Sequence, residues 1–160
     1  MKKLAFALAL IAGYTIADEN KVDDRVVYVS EEDQEMNKAI VQAQQTLDQF
    51  LITFRNPPEG AENFKLKVML SDKSGVEHFW FTPFKEIDGG FAGVLANEPS
   101  VITSVQTGNV YAFKRDQITD WGYEQAGVQH GSFTVCALFK FMDQELVKRY
   151  KQDHGFVCSS

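Results

Sequence analysis

The sequence predicts an α+β domain: an antiparallel β-meander, or a small partly open barrel, packed on a long N-terminal helix, with a C-terminal helical segment. Three observations carry this. Apolar residues from Met36 to Phe54 recur at helical spacing, the period drops to two at Phe64 with turn residues at short intervals, and helical spacing returns after Phe133. A chain of 160 residues holds one such core and not two full-sized ones, and its 44% apolar content with 13 Phe excludes global disorder.

The first 17 residues read as a secretory signal. Lys2 and Lys3 form a positive n-region, and residues 4–16 are uncharged, mostly apolar and end in small residues at Ala17. That run is shorter than the ~20 residues of a permanent bilayer helix, so no stable membrane span remains after cleavage. Residues 18–25 form a flexible, polar leader, and 26–160 form the single domain. Cleavage removes two lysines and no acid, leaving 14 basic against 22 acidic residues. Such an excess argues against a nucleic-acid partner, which needs a broad cationic surface.

Val26 to Val29 has strand composition, and Ser30 with the acidic turn of Glu31, Glu32 and Asp33 suits a helix start. Met36, Ala39, Ile40, Ala43, Leu47, Phe50, Leu51 and Phe54 then define one helical face, which Pro57 and Pro58 end. The next strand puts Phe64, Leu66, Val68 and Leu70 on one face and Lys65, Lys67 and Met69 on a wet one. Asp72-Lys73-Ser74-Gly75 is hairpin chemistry, so the strand from Val76 to about Phe84 returns antiparallel, with Pro83 placing its end at an edge. Turns at 88–90 and 107–109 precede strands at 91–96 and 110–113. Asp120 to Tyr123 follows a predicted turn, sits between the last strand and a glycine-bounded loop, and leads into that loop through Gly127, His130 and Gly131.

Export makes a Cys136–Cys158 disulfide the natural pairing. The bond conflicts with one straight C-terminal helix. Seventeen residues of helix carry the chain about 26 Å away from Cys136, and five more return only about 17 Å. The helix must break, and Asp143 offers the N-cap of a second one, with Gly155 as its stop.

No nucleophile elbow, metalloprotease helix, phosphate loop or dinucleotide fingerprint is present, and no cofactor is implied. His78, His130 and His154 lack metal-ligand spacing, so no metal is expected. Asp88, Glu98, Asp116 and Asp120 are the candidate acids. A catalytic alternative, a cell-envelope hydrolase, would use Asp120 with His130 or His78. The binding alternative rests on aromatics: Trp121 and Tyr123, with Asp120 and Trp80, are expected to border the main concavity.

The acidic start at 31–36, Glu77-His78-Phe79-Trp80, Phe91-Ala92-Gly93, Asn97-Glu98-Pro99, Ile118-Thr119-Asp120-Trp121 and Gly131-Ser132-Phe133-Thr134, in this order, resemble the YegJ-like family of bacterial proteins. The likeness spans nearly the whole mature chain. It implies a domain of unknown function with no catalytic residues to carry over, and it is distantly similar, at the level of fold, to immunity-type domains that neutralise toxins of rival bacteria. The expectation is therefore a periplasmic or secreted binding protein, whose partner is a protein of the cell envelope or an imported toxin.

Overall fold

The computed structural model describes residues 3–7, 26–30 and 33–158, the first two segments by their backbone alone. Cleavage after Ala17 and the 18–25 leader fall outside the described residues. The elements run β1 (Lys3–Ala7), β2 (Val26–Ser30), α1 (Gln34–Arg55), β3 (Ala61–Asp72), β4 (Gly75–Ile87), β5 (Gly90–Leu95), β6 (Val110–Phe113), β7 (Ile118–Gln125), β8 (Val128–Gly131), α2 (Phe133–Leu138) and α3 (Gln144–His154). Strands β3 to β8 are all antiparallel, in the order β4-β3-β7-β8, with β5 on the other edge of β4 and β6 beyond it. The β1 strand pairs antiparallel with β2 and touches β4 in parallel at Glu77 and His78. Thus Lys3–Ala7, part of the signal in the sequence reading, lies in the sheet of the unprocessed chain.

Helix α1 begins three residues later than its sequence suggests. Asp33, not Ser30, is the N-cap: its Oδ1 accepts the Met36 N–H at 2.8 Å, while Ser30 still belongs to β2. The apolar face is as spaced. Met36, Ala39, Ala43, Leu47, Phe50 and Leu51 are buried and Ile40 and Phe54 half-buried. Phe50 stacks at 5.0 Å on Trp121 and at 6.1 Å on Phe84, beside Leu66, Val68, Phe79 and Phe81.

The hairpin joins Asp72 to Gly75, and Asp72 Oδ1 accepts the Ser74 N–H. Pro83 does not end β4. The strand runs on to Ile87, and Pro83 sits in a register shift between Phe81 and Phe84. The larger correction concerns 118–131. Asp120, Trp121 and Tyr123 do not follow the last strand on the way to a loop but lie within β7, between β3 and β8.

The C-terminal region breaks as the disulfide requires. Helix α2 gives way to a 3-10 turn at Phe139–Phe141, Met142 is extended, and Asp143 Oδ1 accepts the N–H groups of Glu145 and Leu146 to start α3. Gly155, at φ 67°, stops α3 in the left-handed region. Cys136 and Cys158 are bonded with their Cα atoms 5.5 Å apart. The returning tail adds a parallel bridge from Phe156 to Gln129 on β8. No helix among the described residues is long and apolar enough to cross a membrane.

Candidate functional site

Asp120 is completely enclosed, and its carboxylate is spent on local donors. Oδ1 accepts the N–H groups of Trp121 at 2.8 Å and Phe133 at 3.2 Å. Oδ2 accepts the Thr134 N–H at 2.8 Å and its hydroxyl at 2.6 Å. Thr134 Oγ1 in turn accepts a hydrogen bond from Lys67 Nζ at 3.0 Å. Register places Lys67 opposite Asp120 on one side and opposite Trp80 on the other. The ammonium groups of Lys65 and Lys67 lie 5.0 and 5.1 Å from the Trp80 ring centre, so one buried indole meets both cations.

Burial governs the charges in this cluster. It lowers Lys65 to about 8 against the pull of Asp120 and Glu124, and lowers Lys67 to about 8 against the pull of Asp120. Burial likewise pushes the Asp120 carboxyl up from its ordinary value, opposed by Lys67 and the Thr134 and Trp121 donors. Burial, with Lys67 nearby, lowers His78 to about 3. The His78 Nδ1 lies 2.9 Å from Thr119 Oγ1 inside the sheet.

Trp121 faces the other way. Its ring packs on Phe50, and its Nε1–H donates to Ala43 O at 3.0 Å and Thr46 Oγ1 at 3.1 Å on α1. Tyr123, half-buried, stacks on Phe64 at 5.0 Å and on His130 at 4.6 Å. The four residues expected around a concavity are therefore divided between the two faces of the sheet, and three of them are buried.

An open groove of about 600 Å³ lies elsewhere, between α1, β8, α2 and the disulfide-held tail. Glu35, Lys38 and Gln42 line it from α1, Gln129 and His130 from β8, and Lys140, Val157 and both cysteines from the C-terminal region. None of Trp80, Asp120, Trp121 or Tyr123 does. Of the hydrolase candidates, His130 alone reaches it. Glu35 accepts hydrogen bonds from both Lys140 and Lys38, which together hold it down to about 2. The acids Asp88, Glu98 and Asp116 are exposed on separate connections, Asp116 in a 3-10 turn at Arg115–Gln117. No group of three or more His, Cys, Asp or Glu side chains among the described residues could hold a metal ion.

Sequence reasoning missed Lys65, Lys67 and Thr134 as a buried network, because alternation with apolar residues reads as solvent. It missed Lys38 and Lys140 because 102 positions separate them. The motifs behind the family resemblance hold the fold together. Glu77 accepts the N–H groups of Ser100, Val101 and Ile102, and Asn97 Oδ1 accepts the Trp80 N–H at 2.8 Å. Gly131, at φ 74°, passes so close to β7 that a Cβ there would lie 2.3 Å from the Trp121 carbonyl oxygen.

The chain is 31% identical to the uncharacterized protein YegJ of Escherichia coli K12 over 138 residues, covering 86% of this chain and 88% of that one. It is also 30% identical over 132 residues to a putative ankyrin repeat protein of Neisseria meningitidis serogroup B, covering 77% of this chain and 52% of the relative, about half its length. No solved structure matches. A family described as uncharacterized protein conserved in bacteria, DUF2314, matches residues 33–157, from the N-cap of α1 into the C-terminal tail. On that match the chain belongs to the DUF2314 family.

Proposed function

We propose that this chain is exported to the periplasm and acts there by binding another protein, without catalysis. The observation that carries the reading is where the polar groups go. Asp120, the acid that a hydrolase would need, has both oxygens committed to backbone and Thr134 donors inside the domain. The groove, by contrast, is open and rimmed by exposed side chains of α1 and the tail. Export is supported by the N-terminal apolar run and by the Cys136–Cys158 bond, which suits an oxidising compartment. The sharpest version is inhibition of an imported toxin, in keeping with the fold-level likeness to immunity-type domains.

The test is cross-linked capture from the periplasm with the tagged full chain, alongside Gln42→Trp, which fills the groove mouth. A partner held by the wild type and lost in the variant is the expected result. Hydrolytic activity abolished by Asp120→Asn in a folded variant would overturn the reading.

A further inference from the structure

The groove lies within a larger surface with a chemistry unlike the rest of the chain. A second, shallower depression of about 430 Å³ adjoins it across α1, sharing Lys38 and Gln42. Gln34, Gln45 and the half-exposed Val41 line that extension. Among the described residues the charged groups along both are Lys38, Lys140 and Glu35, and the two ammonium groups share that carboxylate. Held ionised between them, Glu35 cancels one cation, and the surface keeps one positive charge in excess. The side chains of Lys38 and Lys140 remain 72% and 59% exposed. Each ammonium thus keeps N–H donors for a further acceptor.

The rest of the molecule has the opposite sign. Residues 133–158 carry Lys140, Lys148, Arg149 and Lys151 against Asp143, Glu145 and Asp153, whereas the described residues 33–132 carry eight basic and thirteen acidic side chains. A carboxylate approaching this chain therefore meets a net negative molecule and finds donors at the groove. The tail supplies the apolar half of the site. Val157 is 75% exposed and Val128 39%, both on the groove wall beside the disulfide.

We infer that the groove receives an extended, acidic segment of a partner protein, with a carboxylate set between Lys38 and Lys140 and an apolar side chain against Val128 and Val157. Adjoining depressions along one helix suit an extended segment, and the amides of Gln34, Gln42 and Gln45 can meet its backbone. This inference rests on the binding reading and names the chemistry of the partner.

The probe is a fluorescein-labelled eight-residue peptide of glutamate, leucine and glycine, with a lysine-for-glutamate counterpart and a serine-for-leucine counterpart, followed by anisotropy. The glutamate–leucine peptide should bind at least tenfold more tightly than either counterpart, and weaken as salt rises from 50 to 300 mM. The Lys38→Glu/Lys140→Glu variant should lose that preference, while Lys38→Arg/Lys140→Arg keeps it. Thermal melts of both variants establish that they fold. Equal binding of the acidic and basic peptides, absence of binding, or a charge reversal that leaves affinity unchanged overturns the inference. The two readings fail separately: periplasmic capture that survives charge reversal removes the acidic segment and keeps the binding function. Peptide binding at the groove with no captured partner does the reverse.

Discussion

The two faces of the sheet are equally dry and are built from opposite materials. Under α1, Phe50, Phe54, Phe64, Phe84 and Trp121 stack on one another, and the one polar group that Trp121 brings in is satisfied by α1 itself. Under α2 and α3, the same strands turn inward Lys65, Lys67, His78 and Asp120, with the Trp80 ring close to both cations and packed with Val135, Leu138 and Phe139. The aromatic face gains its stability from area removed from water, which is nearly indifferent to which neighbour covers it. The polar face gains little net from burial, and each of its charges needs a specific partner. It tolerates a single arrangement of α2, with Asp120 holding the first N–H groups of that helix.

That difference sets the largest expected effect. Phe50→Ala and Asp120→Ala should each cost about 4 kcal/mol, the first by leaving a cavity and the second by removing the acceptor of three buried backbone N–H groups and the negative charge that faces Lys67. Their behaviour diverges in the second step. Lys67→Met with Asp120→Asn removes both charges of the pair and keeps one acceptor oxygen, so it should recover part of the stability lost in Asp120→Ala. No single partner change restores Phe50→Ala. Urea unfolding of the set decides it, and a double variant as unstable as Asp120→Ala alone breaks the comparison.

This asymmetry also explains what could be read in advance. The spacing from Met36 to Phe54 specified the buried stripe of α1 because an apolar side chain has one favourable destination. Lys65 and Lys67 alternate with Leu66 and Val68 in the pattern of a half-wet strand, and nothing local reveals that Asp120 and Thr134 wait across the sheet. Strand β7 was hidden for the same reason. Its Asp120 and Gly122 face a packed layer, so it lacks the apolar-polar contrast by which strands are recognised. The helix break at Met142 was legible because it follows from chain length and a covalent bond, which need no knowledge of neighbours. The groove was not legible, since Lys38 and Lys140 meet only after the fold is complete.

The disulfide sharpens the contrast, because it fastens the lid of the polar face alone. It closes a loop of 22 residues that contains α3, whereas α1 is held by packing. Replacing both cysteines with alanine should cost about 3 kcal/mol on chain-entropy grounds. The loss should be local first. Hydrogen exchange should quicken in α3 and in β8, where Gln129 N–H bonds to Gly155 O, before it changes in α1. Uniform acceleration across both faces means that the covers are one cooperative unit.

Per pH unit the smallest effect is the slope of stability with pH, and the two faces should differ in sign and presence. Lys65 and Lys67 are lowered to about 8 in the folded chain by burial, from an ordinary 10.5. Between those values the unfolded chain holds more protons, so the free energy of unfolding rises with pH, by at most about 1.4 kcal/mol per unit for each lysine. The penalty of burying the charges is fully present below pH 8 and is relieved above it. His78 acts in the same direction at the acid end. Lowered to about 3, it stays neutral in the fold while the unfolded chain takes up its proton as pH falls below 6.5, and stability declines with it. Asp72 and Glu35, held down to about 2, add to that decline only below their ordinary values near 4, which leaves pH 4.5 to 6.5 as the window for His78 and for His154, which burial also lowers. Lys67→Met with Asp120→Asn should reduce the alkaline limb to the part that Lys65 supplies, and His78→Gln should reduce the slope from 4.5 to 6.5 to the part that His154, also lowered by burial, supplies. Phe50→Ala should shift the whole curve down and leave both slopes intact, because the side chain it removes carries no titratable group. A wild-type curve that is flat from pH 8 to 10.5 means that Lys65 and Lys67 stay protonated in the fold, held by Asp120 and the Trp80 ring strongly enough to offset their burial.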